Sequence, residues 1–431
     1  MTILMGKLSP AGARRAGRLV EGFAERRLHL GYSLWFPFIV FAITRLVDVA
    51  LILIAGRHQI ALPAGGLPGY HVWQPTPASP GYGLVISNWD GQWYSQIASQ
   101  GYPTTLPRDA AGHIQPNEWG FFPLYPLLVG AIMRLTGLGF SVVAPTLSCL
   151  LGAAAVTVMF RLLSQSLDRF AASATVLLTC TFIAAPAMQL AYSESLALLL
   201  LCTALLLLRN RRYGWLVPVV VTLALTRPVA LVLVPVVIVH GIARYRRRCV
   251  TPFPVRDRWR VLALAGLALV SAGLWPAIAA VRTGNPSAYT QTISAWAGTT
   301  GKLRVLVAFP TFAWVHGGLI GLAALSCLII LTAWVVLRSR TAVWGPEVRA
   351  WAGLYPLYLL LATGPTSSDL RHLVMAFPLL WPFPEEATSR SERRVRVAVV
   401  VVLAICGLLM QWLWISKYLV VSGPPHEQPF P

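Results

Sequence analysis

The sequence predicts an all-α, polytopic membrane protein, and three observations carry that reading. Of 431 residues, 56% are hydrophobic and only 12% charged, with a mean hydropathy of +0.64. A soluble chain of this length has no means of hiding so much apolar surface. Many apolar runs approach or exceed the roughly 20 residues needed to cross a bilayer as a helix. Between them sit arginine runs, at Arg14-Arg15, Arg209 to Arg212, Arg244 to Arg248, Arg338 to Arg340 and Arg393 to Arg396, the pattern of cytoplasmic loops facing anionic headgroups. That placement accounts for the formal net charge of +20 and argues for membrane lipids, and against nucleic acid, as the partner of the basic residues.

In chain order, residues 1–31 form a basic cytoplasmic N-terminus with no cleavable signal pattern, and residues 32–55 form a first transmembrane helix acting as an uncleaved anchor. Arg45 and Asp48, three apart, share a face of that helix, as a structural pair or as part of a wet cavity. Residues 56–140 form a large extracytoplasmic loop, rich in Pro, Gly and aromatics, whose only acids are Asp90, Asp109 and Glu118. Within it, residues 86–101 predict a short amphipathic helix with Trp93, Ile97 and Gln100 about one turn apart and Trp89, Trp93 and Tyr94 as interfacial anchors. Residues 121–137 resemble a short span, but a crossing here would turn every later arginine run outward. They therefore predict a juxtamembrane helix, opened by Pro123 and Pro126.

The transmembrane bundle occupies residues 141–420. Its spans are expected at 141–162, 170–190, 193–208, 213–225, 228–242, 261–281, 319–337, 348–363, 370–383 and 397–418, which with the first helix makes about eleven. The short pair around Thr226-Arg227-Pro228 suggests backbone broken inside a cavity. A polar outer loop, 284–302, leads to an interfacial helix reaching Val315, and residues 421–431 form a tail. No tandem repeat is visible, which weighs against the commonest transporter architectures. Five of the six cysteines lie in apolar runs and none in the large loop, so no disulfide or thiolate zinc framework is expected. His58, His71 and His113 lack metal-ligand spacing, so neither a metal nor any other cofactor is expected.

With so few acids, their distribution is informative. On the outer side this topology leaves only Asp90, Asp109, Glu118, Glu194, Asp369 and Glu427. Asp90, Glu118, Glu194 and Asp369 each open or close an apolar segment and should converge near the outer interface. Arg227, Arg282, Arg304, Arg371 and His372 are the basic partners available there. Carboxylates beside arginines suit chemistry on a phosphorylated lipid: arginine binds phosphate oxygens bidentately, and a carboxylate can accept a proton from a hydroxyl. Each residue also has a structural role open to it. Asp90 can cap a helix, Glu118 can complete a capping box, and Glu194 can sit favourably on a helix dipole. Arg227 can snorkel, and Arg371 can simply pair with Asp369.

The segment NWDGQWYSQIASQGY at Asn88, followed by NEWGFFPLYP at Asn117, resembles the first outer loop of the GPI mannosyltransferase 2 family and its bacterial relatives, within the GT-C superfamily of glycosyltransferases. AYSESLALLL at Ala191, LTRP at Leu225, NPSAYTQTISAW at Asn285 and SSDLRHLVMAFPLL at Ser367 resemble later blocks in the same order. The resemblance implies a GT-C bundle and a hexosyltransferase using a polyprenyl-phosphate sugar, with mannose expected. Transfer would occur with inversion on the extracytoplasmic face of a bacterial plasma membrane, to a lipid or glycan acceptor of the cell envelope. It implies Asp90 as general base, with Trp89, Tyr94, Glu118, Glu194, Arg227, Arg371 and His372 contacting substrate. The rival readings are a lipid or sugar transporter (a flippase) and a non-catalytic subunit that binds lipid carriers.

Overall fold

The computed structural model describes residues 10–64, 66–67, 70–297, 304–363 and 365–423; the side chains of 10–30, 33, 297 and 304–306 lie outside the described set. Glu427, Lys302, the side chains of Arg14, Arg15 and Arg304, and most of the expected tail therefore fall outside it. Every regular element described is helical, with only isolated β-bridges in the large loop.

Helix α1 (Pro10–Gly56) contains the first expected span. The large loop follows, carrying α2 (Tyr82–Val85), α3 (Asp90–Gln100) and a 3₁₀ turn at Glu118–Gly120, then α4 (Leu124–Thr136). The bundle continues through α5 (Phe140–Leu163), α6 (Arg169–Cys180), α7 (Glu194–Arg209), α8 (Tyr213–Ala224), α9 (Ala230–Arg246), α10 (Val255–Ala272) and α11 (Leu274–Thr283). It closes with α12 (Ala288–Ala297), α13 (Arg304–Leu337), α14 (Gly345–Ala362), the short α15 (Asp369–His372) and α16 (Arg390–Trp414).

Among the described residues five helical stretches are long and apolar enough to cross a bilayer: Leu34–Gly56, Phe140–Leu163, Val255–Thr283, Val307–Leu337 and Arg390–Leu419. These make the chain an integral membrane protein. The other expected spans fall on shorter pieces, α6 to α9 and α14. Residues 370–383 differ more: they form the four-residue α15 and a 3₁₀ stretch, Leu373–Leu380, not a spanning α-helix. Such segments need not reach across hydrocarbon, because protein surrounds them and their backbone is satisfied internally. Met375 O, for instance, accepts a hydrogen bond from the Trp351 indole at 2.8 Å.

The Arg45–Asp48 pair has a structural explanation. Helix α6 stops at Cys180, and the chain runs to Glu194 through a 3₁₀ turn at Ala185–Met188, buried except at the half-buried Phe182 and Ile183. Arg45 donates to Cys180 O at 2.7 Å and to Ala185 O at 2.5 Å, and pairs with Asp48 at 2.9 Å. From the other side Gln411 donates to Phe182 O at 3.0 Å. Carbonyls released by the break thus find donors in an environment without water. Helix α16 approaches this break so closely that a Cβ at Gly407 would lie 2.1 Å from Thr181 O.

Helix α4 has 13 residues, about 20 Å at 1.5 Å per residue, too short for a ~30 Å hydrocarbon core. It packs on α3, and a Cβ at Gly130 would lie 2.6 Å from Ala98 O. The expected interfacial helix before residue 315 and the span after it are two helical segments of α13 that meet at a break at Gly318, where φ is +53° and ψ −137°. Glu347 is buried at the start of α14. There its Oε1 lies 2.5 Å from His240 Nδ1, while Tyr213 bonds His240 Nε2 at 3.0 Å.

Candidate active site

The large loop, α12, α14, the segment preceding α9 and the α15 region line a cavity of about 1030 Å³. Asp90 reaches it from the first residue of α3. The helix does not begin there by ordinary capping: Trp89 occupies the cap position with φ +56° and ψ −113° and makes no side-chain cap. A bulky residue at positive φ costs on the order of 1–3 kcal/mol and persists only where its surroundings fix it. They do so here. The Trp89 amide donates to Tyr70 Oη at 2.8 Å and its indole to Leu419 O at 3.0 Å. Asn88 donates to Gln59 Oε1 at 2.8 Å, and Tyr192 donates to Asn88 O at 3.1 Å. The strained turn frees the Asp90 side chain from capping and turns it toward the cavity.

There Asp90 Oδ2 meets Arg371 Nη2 at 2.6 Å. Arg371 also lies 3.1 Å from Glu194 Oε1, which Arg227 approaches to 2.6 Å. The result is one alternating chain: Asp90, Arg371, Glu194, Arg227. Side-chain exposure grades along it, 2% for Glu194, 7% for Arg371, 11% for Arg227 and 22% for Asp90. Glu194 therefore lies behind the arginines and fixes both, while Asp90 is the member most open to the cavity. Arg227 is oriented further by its Nε donating to Ser193 Oγ at 3.2 Å, which also accepts from Tyr94 Oη at 3.0 Å. The Arg371 guanidinium lies over the Tyr192 ring, 4.9 Å from its centre. Rigid, fork-shaped cations set side by side are a ready receptor for phosphate oxygens.

Trp89, Asp90, Tyr94, Arg227, Arg371 and His372 all line this cavity. Glu118 stands apart. It is buried beside α3, where Gln96 Nε2 donates to its Oε1 at 2.6 Å. Asn117, not Glu118, caps the 3₁₀ turn, accepting from the Trp119 amide. Burial raises the Glu118 carboxyl above the usual carboxylate range. Asp369 is also absent from the lining: it staples its own loop by accepting from the Thr366 amide at 2.9 Å and from Thr363 Oγ1 at 3.2 Å, with His372 at 3.7 Å. Arg371 thus pairs with Asp90 and Glu194, not with its chain neighbour Asp369. Arg282 is exposed and distant from the cavity lining. Among the described residues, no three His, Cys, Asp or Glu side chains assemble into a metal-binding group.

Several contributors escape a reading of the sequence. Tyr70, which holds Trp89, lies in a loop without periodicity. Ser193 and Tyr192 sit inside the YSE motif, but their hydrogen bonds connect elements about a hundred residues apart. Trp296, on α12, lines the cavity as well.

No protein-family model matches the chain, and no curated protein matches it. Among solved structures it is similar to the archaeal oligosaccharyltransferase AglB from Archaeoglobus fulgidus in complex with an inhibitory peptide and a dolichol-phosphate, with 12% identity, a TM-score of 0.45, and coverage of 89% of this chain and 56% of that one. It is also similar to an Archaeoglobus fulgidus oligosaccharyltransferase tethered to an acceptor peptide through a disulfide, with 12% identity, a TM-score of 0.46, and coverage of 91% and 56%. A zinc and sulfate complex from the same organism gives 14% identity, a TM-score of 0.44, and coverage of 88% and 53%. The chain thus spans about half the length of these structures. At such identities and TM-scores the likeness assigns neither family nor activity.

Proposed function

We propose that this chain is a GT-C-type membrane glycosyltransferase. In this reading it transfers a hexose, expected to be mannose, from a polyprenyl-phosphate carrier to a hydroxyl acceptor on the extracytoplasmic face of a bacterial plasma membrane. The observation that carries the reading is the Asp90–Arg371–Glu194–Arg227 chain on one cavity wall. The first-loop motifs around Asp90 and Glu118 support it through the family resemblance.

In the proposed reaction the acceptor oxygen attacks the anomeric carbon from the face opposite the carrier. The new C–O bond forms as the bond to the phosphate oxygen breaks, and the configuration inverts. Asp90 takes the hydroxyl proton, as a positioned carboxylate general base. The polyprenyl phosphate leaves with the bonding electron pair, and Arg227 and Arg371 stabilise the charge on its oxygen. Glu194 touches neither substrate; it holds the two guanidiniums at one spacing, so their geometry is set before the donor arrives. Arg371 binds Asp90 at 2.6 Å. A donor phosphate competes for the same guanidinium and thereby releases the carboxylate for its acceptor.

The test is transfer of radiolabelled mannose from polyprenyl-phosphate-mannose into lipid or glycan by the purified chain in proteoliposomes. Incorporation with release of polyprenyl phosphate is the expected result. Carrier-dependent movement of unmodified substrate across the bilayer, without a new glycosidic bond, would replace the enzyme reading with the transporter one.

A further inference from the structure

Beside the charged residues the same cavity is lined by rings. Trp93 lies three residues after Asp90 on α3, so it shares a face with the carboxylate at a Cβ spacing of about 5–6 Å. His71 stacks on it with ring centres 3.7 Å apart, and Trp296 meets it edge-on at 5.2 Å. Phe121 lies 5.4 Å from Trp296. The Trp296 ring is 40% exposed yet fixed. Its indole N–H donates to Asn117 O at 3.2 Å, and a Cβ at Gly120 would lie 2.7 Å from that nitrogen. Only a glycine lets the indole close on this turn.

Two occupants suit aromatic walls, a prenyl chain or the apolar face of a sugar ring. A prenyl chain needs a dry apolar channel. This cavity instead mixes rings with neutral hydrogen-bonding groups, Gln115, Tyr289 and Tyr358 among its lining residues. Such a mixture matches a pyranose, with C–H groups on one face and hydroxyls around its rim. An indole anchored in lipid headgroups would turn its N–H to the interface, whereas that of Trp296 is tied to Asn117 O.

We infer that Trp296, backed by Trp93, forms a saccharide subsite that presents a sugar-bearing acceptor, a glycan or glycolipid, to Asp90. The inference rests on the glycosyltransferase reading and adds the acceptor class. Trp296 meets Trp93 at 5.2 Å, and both line the cavity that Asp90, Arg227 and Arg371 also line.

Saturation-transfer NMR on the full chain in nanodiscs tests this, with methyl α-D-mannopyranoside as saccharide probe and geranyl phosphate as carrier probe. Trp296→Ala should weaken mannoside binding about tenfold, the scale of one lost ring contact, and leave geranyl phosphate binding unchanged. Trp296→Phe should retain most mannoside binding. Gly120→Ala, which keeps the indole but displaces it, should weaken it. Arg371→Lys should do the reverse, weakening geranyl phosphate and sparing the mannoside. Mannoside binding indifferent to Trp296→Ala, or geranyl phosphate lost with it, overturns the subsite. Trp296-dependent mannoside binding without any transfer activity supports the subsite and removes the enzyme reading instead.

Discussion

Asp90→Asn is the sharpest perturbation of the proposed chemistry. The substitution keeps shape and hydrogen-bonding capacity, so the 2.6 Å contact with Arg371 can persist. Glu194 still holds Arg371 at 3.1 Å and Arg227 at 2.6 Å, which keeps the phosphate receptor assembled. The four-residue chain passes from balanced charge to an excess of one positive charge, so affinity for the donor phosphate should hold or rise. What disappears is the proton acceptor. A positioned general base contributes about 10²–10⁴-fold, or roughly 3–5 kcal/mol of barrier. The expected signature is therefore a fall of that size in kcat with the donor KM unchanged or lower. Initial rates of mannose transfer in proteoliposomes, at varied donor concentration, measure both. Asp109→Asn serves as control: Asp109 lies in the same loop but is bound to the Ala111 and His113 amides outside the cavity lining. A well-folded Asp90→Asn enzyme with wild-type kcat, or a loss confined to KM, would refute Asp90 as base.

Three further outcomes follow from the geometry. Arg371→Lys replaces a fork that bridges two carboxylates by a single-point cation, so the donor KM in the same assay should rise about tenfold or more. Arg45→Leu strips Asp48 of its cation, leaves the Ala185 carbonyl without this donor and leaves Cys180 O to Gln411 at 3.3 Å. Breaking such a buried pair costs about 3–5 kcal/mol, visible as a lowered unfolding temperature in detergent, and Arg45→Leu with Asp48→Leu should recover part of it. Glu118, whose carboxyl is raised by burial, makes the folded state bind its proton more tightly than the unfolded state. Stability from this group is therefore full at acid pH and falls as pH rises from the ordinary carboxylate value through the raised one. Glu118→Gln should flatten that part of a thermal-unfolding profile between pH 4 and 8, and an unchanged profile would show that Glu118 does not contribute.

The sequence by itself determined the solvent and the class of structure. Long apolar runs separated by arginines leave only a helical membrane bundle, because hydrocarbon tolerates no unsatisfied backbone. It also singled out Asp90, Glu194, Arg227 and Arg371, since charge is scarce in such a chain and each scarce charge stands out. Span lengths were less legible. Hydropathy reads 370–383 as a span, yet it forms 3₁₀ backbone enclosed by other helices, and enclosure is a property of neighbours that a local window cannot register. Pairing was decided only by the tertiary structure. Asp369 is two residues from Arg371, and the sequence offers it as the partner, but the loop consumes it through Thr363 and Thr366. Arg371 instead crosses to Asp90 and Glu194. The same holds for Trp89, whose left-handed backbone turns Asp90 into the cavity: Tyr70 and Leu419 hold it from distant parts of the chain, and Gln59 and Tyr192 hold its neighbour Asn88.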